Sequence, residues 1–152
     1  MPMYAERRYL PFTPRQLYDL VADVDRYHEF LPWCAGSRVR RRDGSVFYAD
    51  LMVGFKMARE RFTSKVTLNP GRIDIEYIEG PFKYLNNHWI FHPAEDGGTQ
   101  IDFFIDFQVR SRVLQPMITA VFNEAVRVMV TAFERRARQL YGADGRLVDH
   151  VG

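Results

Sequence analysis

The chain has 152 residues, of which 47% are hydrophobic, 14% aromatic and 26% charged, with a formal net charge of +2 and one cysteine. That length and apolar content suffice for a single domain with a real core, and the lone Cys34 excludes an intramolecular disulfide, so a reducing cytoplasm is the expected setting. No apolar run approaches the roughly 20 residues that span a bilayer, the N-terminal stretch reads as folded structure rather than a leader, and the mild positive charge favours phosphate-bearing partners without requiring them.

Met3 to Leu10 predicts a first strand, ended by Pro11. Thr13-Pro14-Arg15-Gln16 has the form of a helix start: Thr as N-cap, Pro at the first helical position and Gln three residues after the cap. Leu17, Leu20, Val21 and Val24 follow at helical spacing and predict a short amphipathic helix. The stretch Val24 to Cys34 then gathers Tyr27, Phe30, Leu31 and Trp33 around Pro32. A proline there ends any incoming helix and biases Leu31 toward an extended conformation, so the segment is a bulky apolar plug at a bend, beginning with a second short helix.

Consecutive strands follow. In Val46 to Met57, the residues Phe47, Ala49, Leu51, Val53, Phe55 and Met57 share an apolar face. Ala58, Glu60, Phe62, Ser64, Val66 and Leu68 alternate with a wet face of Arg59, Arg61, Thr63, Lys65 and Thr67. Arg72 to Glu79 is rich in β-formers and Gly80-Pro81 marks a turn. Leu85, Asn87, Trp89 and Phe91 share the face of the next strand, and Ile101, Phe103, Ile105, Phe107 and Val109 that of the last. From about Ser111 to Leu140 the pattern is helical, with Leu114, Ile118, Val121, Ala125, Met129 and Ala132 as the apolar stripe, Phe122, Val128 and Phe133 on its flanks, and Gly142 as the stop. The fold class is therefore α+β: a curved antiparallel sheet wrapped round one long C-terminal helix, with residues 1–142 as the domain and 143–152 as a loose tail. Only that helix is long enough to cover the sheet. Its slim middle leaves the hollow between them under-filled, with room for an apolar guest.

Four motifs carry a family resemblance. Tyr27, Phe30, Leu31, Pro32 and Cys34 form Tyr-x-x-Phe-Leu-Pro-x-Cys; Gly80 to Lys83 read Gly-Pro-Phe-Lys and are followed by Trp89 and Phe91. Ile101, Phe103, Asp106 and Phe107 form Ile-x-Phe-x-x-Asp-Phe, and the closing helix ends in Arg-Ala-x-x-Leu-Tyr-Gly, with Gln139 before Leu140. In order and spacing the chain resembles the START-like, helix-grip superfamily of polyketide cyclase/dehydrase-like proteins, in its coenzyme-Q-binding branch. That resemblance implies binding of ubiquinone or a similar polyprenyl or polyketide lipid, without catalytic residues or a covalent cofactor, in support of respiratory electron transport or quinone synthesis. Its implied partners are the lipid, a membrane surface and the enzymes of those processes, reached from the cytoplasm or the periphery of the inner membrane. The same branch includes ribosome-association toxins, so docking on a ribosomal subunit is the alternative. A cyclase-type activity would need a proton-transferring pocket, for which the inferred inner rows offer little beyond Glu60.

Candidate ligand contacts follow. Phe55, Phe62, Trp89, Phe91, Phe103 and Phe107 fall in inward rows, where they line a lipid tunnel or fill an ordinary core. Val121, Ala125 and Met129 stand on the middle of the helix stripe. Asn87, Glu60 and Ser64 are polar in inward rows; burying one without a partner costs about 1 to 3 kcal/mol, so each either serves a ligand or returns to solvent at a strand end. Trp33 gates the pocket mouth, touches a membrane surface or plugs the end of the sheet. Arg38, Arg40, Arg41 and Arg42 form the one dense basic run, read as a solvated hairpin arm or as a contact for anionic lipid or ribosomal RNA phosphate. His88 and His92 lie about 13 Å apart on a strand, too far for one ion, so no metal site is expected. Cys34 reads as a small buried hydrophobe.

Overall fold

The computed structural model describes residues 3–31, 34–55, 58–110 and 114–142, with side chains described at all of these except positions 54, 55, 58, 59, 114, 115, 117–123 and 125. Trp33 and the expected tail, 143–152, lie outside the described residues, as do the side chains of Phe55, Val121 and Ala125.

Seven strands form one antiparallel sheet: β1 (Met3–Leu10), β2 (Cys34–Asp43), β3 (Val46–Phe55), β4 (Ala58–Asn69), β5 (Arg72–Glu79), β6 (Phe82–Pro93) and β7 (Thr99–Val109). Their order across the sheet is β1-β7-β6-β5-β4-β3-β2, so the chain's first two strands are its two edges. Helix α1 (Pro14–Ala22) and a 3₁₀ segment (Val24–Glu29) separate those edges, and α2 (Leu114–Tyr141) follows the sheet. β2 went unnamed among the expected strands because Val39 is the one large apolar residue between Arg38 and Asp43, too few to show an alternation.

Helix α1 begins as its sequence dictates. The Thr13 hydroxyl accepts from the Gln16 N–H at 3.1 Å and the Gln16 side chain accepts from the Thr13 N–H at 3.0 Å, satisfying two of the donors that every helix start leaves open. Leu17, Leu20 and Val21 are buried. The Tyr27 hydroxyl donates to the Val21 carbonyl, fastening the 3₁₀ segment to the end of α1, and burial pushes its phenol pKa up.

The C-terminal half of α2 buries Val126, Val130, Phe133 and Ala137, at spacings of four, three and four, and Ala132 of the expected stripe is buried beside them. This rotates the expected stripe. Phe133, read as a flank, is its centre; Met129, read as central, is half-buried, and Val128 is 41% exposed. The physical reason is that α2 packs on two surfaces at once. The Phe133 ring meets Trp89 of the sheet at 5.0 Å and, on the other side, Phe30 at 5.1 Å and Tyr27 at 5.3 Å. Arg136 reaches Glu29 at 2.5 Å, and the Tyr141 hydroxyl donates to the Gln16 carbonyl at 3.2 Å. The helix stops at Gly142, whose φ of 90° suits only glycine and whose N–H donates to the Arg138 carbonyl at 2.9 Å.

Candidate functional site

Two aromatic clusters divide the inner face of the sheet. Beside the β5–β6 turn, the Phe82 ring is met edge-on by Phe62 at 5.3 Å, Phe107 at 5.5 Å and Tyr77 at 5.6 Å. Further along, Trp89 meets Phe103 at 4.7 Å and Phe133 of α2. Between the clusters the strand register sets Ile75 opposite Asn87, Asn87 opposite Ile105, and Ile105 opposite Tyr4, as one row across four strands. All four are half-buried. The adjoining rows, Ile73–Trp89–Phe103 on one side and Leu85–Phe107 on the other, are buried. An accessible row lying between buried ones is one that the described side chains leave partly uncovered.

The polar groups of this face are few. The Asn87 Nδ2 donates to the Phe104 carbonyl at 2.7 Å, which uses one N–H and leaves its second N–H and its Oδ1. The Tyr77 hydroxyl accepts from the Phe82 N–H at 3.2 Å. Ser64 is buried directly opposite Tyr77. Along the β1 edge, Tyr4 donates to Glu6, Arg8 pairs with Glu6 at 2.5 Å, and Arg8 reaches Glu134 of α2 at 3.3 Å. Desolvation first, and Glu6 second, push the Tyr4 phenol pKa up. Sequence reasoning missed this ionic seam, although Tyr4, Glu6, Arg8 and Leu10 alternate at the strand period and Leu10 marks the inward parity.

Of the expected inner-face residues, Phe62, Trp89, Phe91, Phe103 and Phe107 are buried on that face, Asn87 is half-buried in the open row, and Met129 is half-buried on α2. Glu60 keeps the inward parity of β4 but is exposed, the strand-end alternative of its two expected places. β4 pairs with β5 only from Thr63 onward, so at Glu60 the neighbouring strand has ended and solvent reaches the carboxylate. Cys34 is buried, which pushes its thiol pKa up, and its Sγ contacts the Gly36 carbonyl at 3.3 Å.

The outer face has a different chemistry. His92 contacts Asp102 at 2.9 Å, while His88 lies stacked on Phe104 at 5.0 Å and burial pushes its pKa down. Among the described residues no three His, Cys, Asp or Glu side chains are grouped to hold a metal, and no helix is long and apolar enough to cross a membrane. The basic run lies on edge strand β2, where a bulge between Val39 and Arg41 shifts the register. Arg38 and Arg40 approach the buried Asp50 of β3 at 3.9 and 3.6 Å, and Asp50 accepts from the Thr63 hydroxyl at 2.6 Å. Arg41 lies over the Tyr48 ring at 5.0 Å, whereas Arg42 turns to Phe47 at 4.7 Å, on the inner side.

Residues 10–134 match the family described as polyketide cyclase/dehydrase and lipid transport. The chain is 35% identical over 145 residues to the ribosome association toxin RatA of Rickettsia prowazekii, covering 92% of this chain and 99% of that protein. It is 35% identical over 144 residues to the mitochondrial coenzyme Q-binding protein COQ10 homolog B of Xenopus laevis, covering 91% of this chain and 59% of that one. A START superfamily protein from Mycobacterium smegmatis shares the fold, with a TM-score of 0.78 at 20% identity over 91% of this chain and 98% of its own. A family match across most of the chain, joined to a relative 35% identical over 99% of its length, shows that the chain belongs to the polyketide cyclase/dehydrase and lipid transport family, in the branch whose members are named for coenzyme Q binding and for ribosome association.

Proposed function

We propose that this protein is a non-catalytic binder of a hydrophobic ligand, of the prenyl-quinone class or a related polyprenyl or polyketide lipid, seated on the inner face of the sheet under α2. The observation that carries this reading is the half-buried row Ile75–Asn87–Ile105, held between buried rows. Apolar walls with a few fixed polar groups are how such ligands are held, and the second N–H and Oδ1 of Asn87 are placed to meet a ring carbonyl or hydroxyl. The family description and the name of the COQ10 relative support the ligand class. A storage role without chemistry fits the described inner face: Glu6 is engaged by Arg8 and Tyr4, and Glu60 is in solvent. Such a protein would work from the cytoplasm, handing its ligand to membrane enzymes of respiration or quinone synthesis. Organic extraction of the purified protein followed by mass spectrometry tests this: a co-purifying prenyl quinone or comparable lipid is expected, and a protein that is empty in repeated preparations refutes it.

A second reading, association with a ribosomal subunit, is supported by a specific observation. The RatA relative is matched over 99% of its length, against 59% for the COQ10 relative, and this chain sets exposed arginines along one sheet edge. Sedimentation of lysate on sucrose gradients separates the readings, since a quinone carrier stays out of the ribosomal fractions.

A further inference from the structure

We infer that the outer face of β2, β3 and β4 is an RNA-binding surface that takes backbone phosphates on Arg38, Arg40 and Arg41, with Arg61 and Lys65 extending it. This goes beyond lipid binding, and it rests on the ribosome reading only in the choice of RNA as the polyanion.

In a regular strand Arg38 and Arg40 would share one face and Arg41 would take the other. The bulge between Val39 and Arg41 inserts one residue, so Arg41 comes opposite Tyr48 and joins Arg38 and Arg40 on the outer face. Register continues the patch inward: Tyr48 stands opposite Lys65, Asp50 opposite Thr63, and Met52 opposite Arg61. Three cations on β2 and two on β4 thus flank the outer face of β3, about 10 Å across at the usual strand spacing. The carboxylates around them are Asp50 beneath, Asp25 at the β2 edge, where it accepts from the Val39 N–H at 2.6 Å, Asp43 two residues beyond Arg41, and Asp74, Glu76 and Glu79 on β5, which bound the patch on that side.

Asp50 orders the arginines without using them up. Its carboxylate is held by the Thr63 hydroxyl, and both guanidinium contacts are longer than 3.5 Å. The Arg38 and Arg40 side chains are 72% and 51% exposed, so their forked N–H donors remain available to phosphate oxygens in a restricted geometry. The Arg41–Tyr48 stack adds a planar platform of the kind on which nucleic-acid bases rest. A bilayer is the poorer partner. Among the described residues the exposed large apolar side chains are Met3, Tyr9, Ile78, Val128 and Leu140, and only Ile78 borders the patch, leaving no apolar anchor within it.

The test uses the full chain, a fluorescein-labelled 20-nucleotide oligouridylate and vesicles of phosphatidylcholine with phosphatidylglycerol. Three arginine–phosphate contacts to a single strand predict a log–log salt slope of about −2, an affinity loss of roughly 20-fold between 50 and 200 mM salt. The triple variant Arg38→Gln/Arg40→Gln/Arg41→Gln should lose most of that slope. Because it strips Asp50 of both cations and risks the fold, the deciding comparison is between Arg41→Gln and Arg42→Gln, which remove equal charge from adjacent residues that touch neither Asp50 nor each other's ring. Arg41→Gln should weaken RNA binding at least threefold and Arg42→Gln less than twofold. Equal losses, no RNA binding by the wild-type chain, or binding to vesicles in preference to RNA each overturn the surface. On sucrose gradients, a wild-type chain that sediments with ribosomes and a triple variant that still does so refute the surface but keep the ribosome reading. RNA binding that is weakened at least threefold in Arg41→Gln, from a wild-type chain that stays out of ribosomal fractions, supports the surface and sinks that reading.

Discussion

Phe133→Ala is the sharpest perturbation of how α2 is held. The side chain is 5% exposed and its ring lies 5.0 to 5.3 Å from Trp89, Phe30 and Tyr27. Truncating a buried Phe costs about 3–5 kcal/mol, and each edge-on aromatic contact adds about 0.5–1.5 kcal/mol beyond its area, so the upper part of that range is expected. At about 2–4 °C per kcal/mol for a domain of this size, the melting temperature should fall by roughly 8 to 20 °C. Urea unfolding followed by circular dichroism and by tryptophan fluorescence measures the loss; Trp89, in contact with the deleted ring, also reports locally. Val128→Ala, on the exposed side of the same helix, should cost under about 0.5 kcal/mol. A Phe133→Ala penalty below about 1.5 kcal/mol, or one equal to that of Val128→Ala, would refute the claim that the C-terminal half of α2 is pinned between the sheet and the 3₁₀ segment.

Gly80 has a φ of 144°, and a Cβ there would lie 2.6 Å from the Phe62 Cβ and 3.1 Å from the Arg61 carbonyl oxygen, so Gly80→Ala should destabilise by roughly 1 to 3 kcal/mol in thermal melts; a neutral substitution would mean that the β5–β6 turn does not close on Phe62. Asp102 is held at a pKa of about 2, below the ordinary 3.8, chiefly by its hydrogen bonds from Arg7 and also by one from His92. A carboxylate depressed in the folded state stabilises fully above its unfolded pKa and loses that contribution as pH falls through the folded value. The stability gap between wild type and Asp102→Asn should therefore be constant near neutrality and close between about pH 4 and pH 2; a gap unchanged across that window contradicts the ion pair.

Local chemistry made some parts of this protein legible before any coordinates. Thr13, Pro14 and Gln16 specify the start of α1 because a capping box is satisfied within four residues, and Gly142 specifies the end of α2 because only glycine takes that backbone angle without strain. The inner rows of β6 and β7 are equally readable, since Leu85, Trp89 and Phe91, and Ile101, Phe103 and Phe107, keep one parity along their strands and a period of two needs no partner to be seen.

Elsewhere the partner mattered more than the period. Glu60 has the parity of Phe62 and Ser64, yet it stands in solvent because β5 ends before reaching it. Phe133 has the spacing of a flank, yet it is the centre of the α2 interface because the 3₁₀ segment packs there opposite the sheet. Thr63 belongs to the wet row of β4, yet it is buried under the pairing of Asp50 with two arginines. The sequence by itself determined the α+β class, the family and the stretches that form most elements, because hydrophobic periodicity and turn chemistry act over a few residues. Which rows stay open, which arginines gather on one face, and which side of α2 is gripped were decided by tertiary structure, because burial is a property of what the chain brings opposite a residue from far along its length.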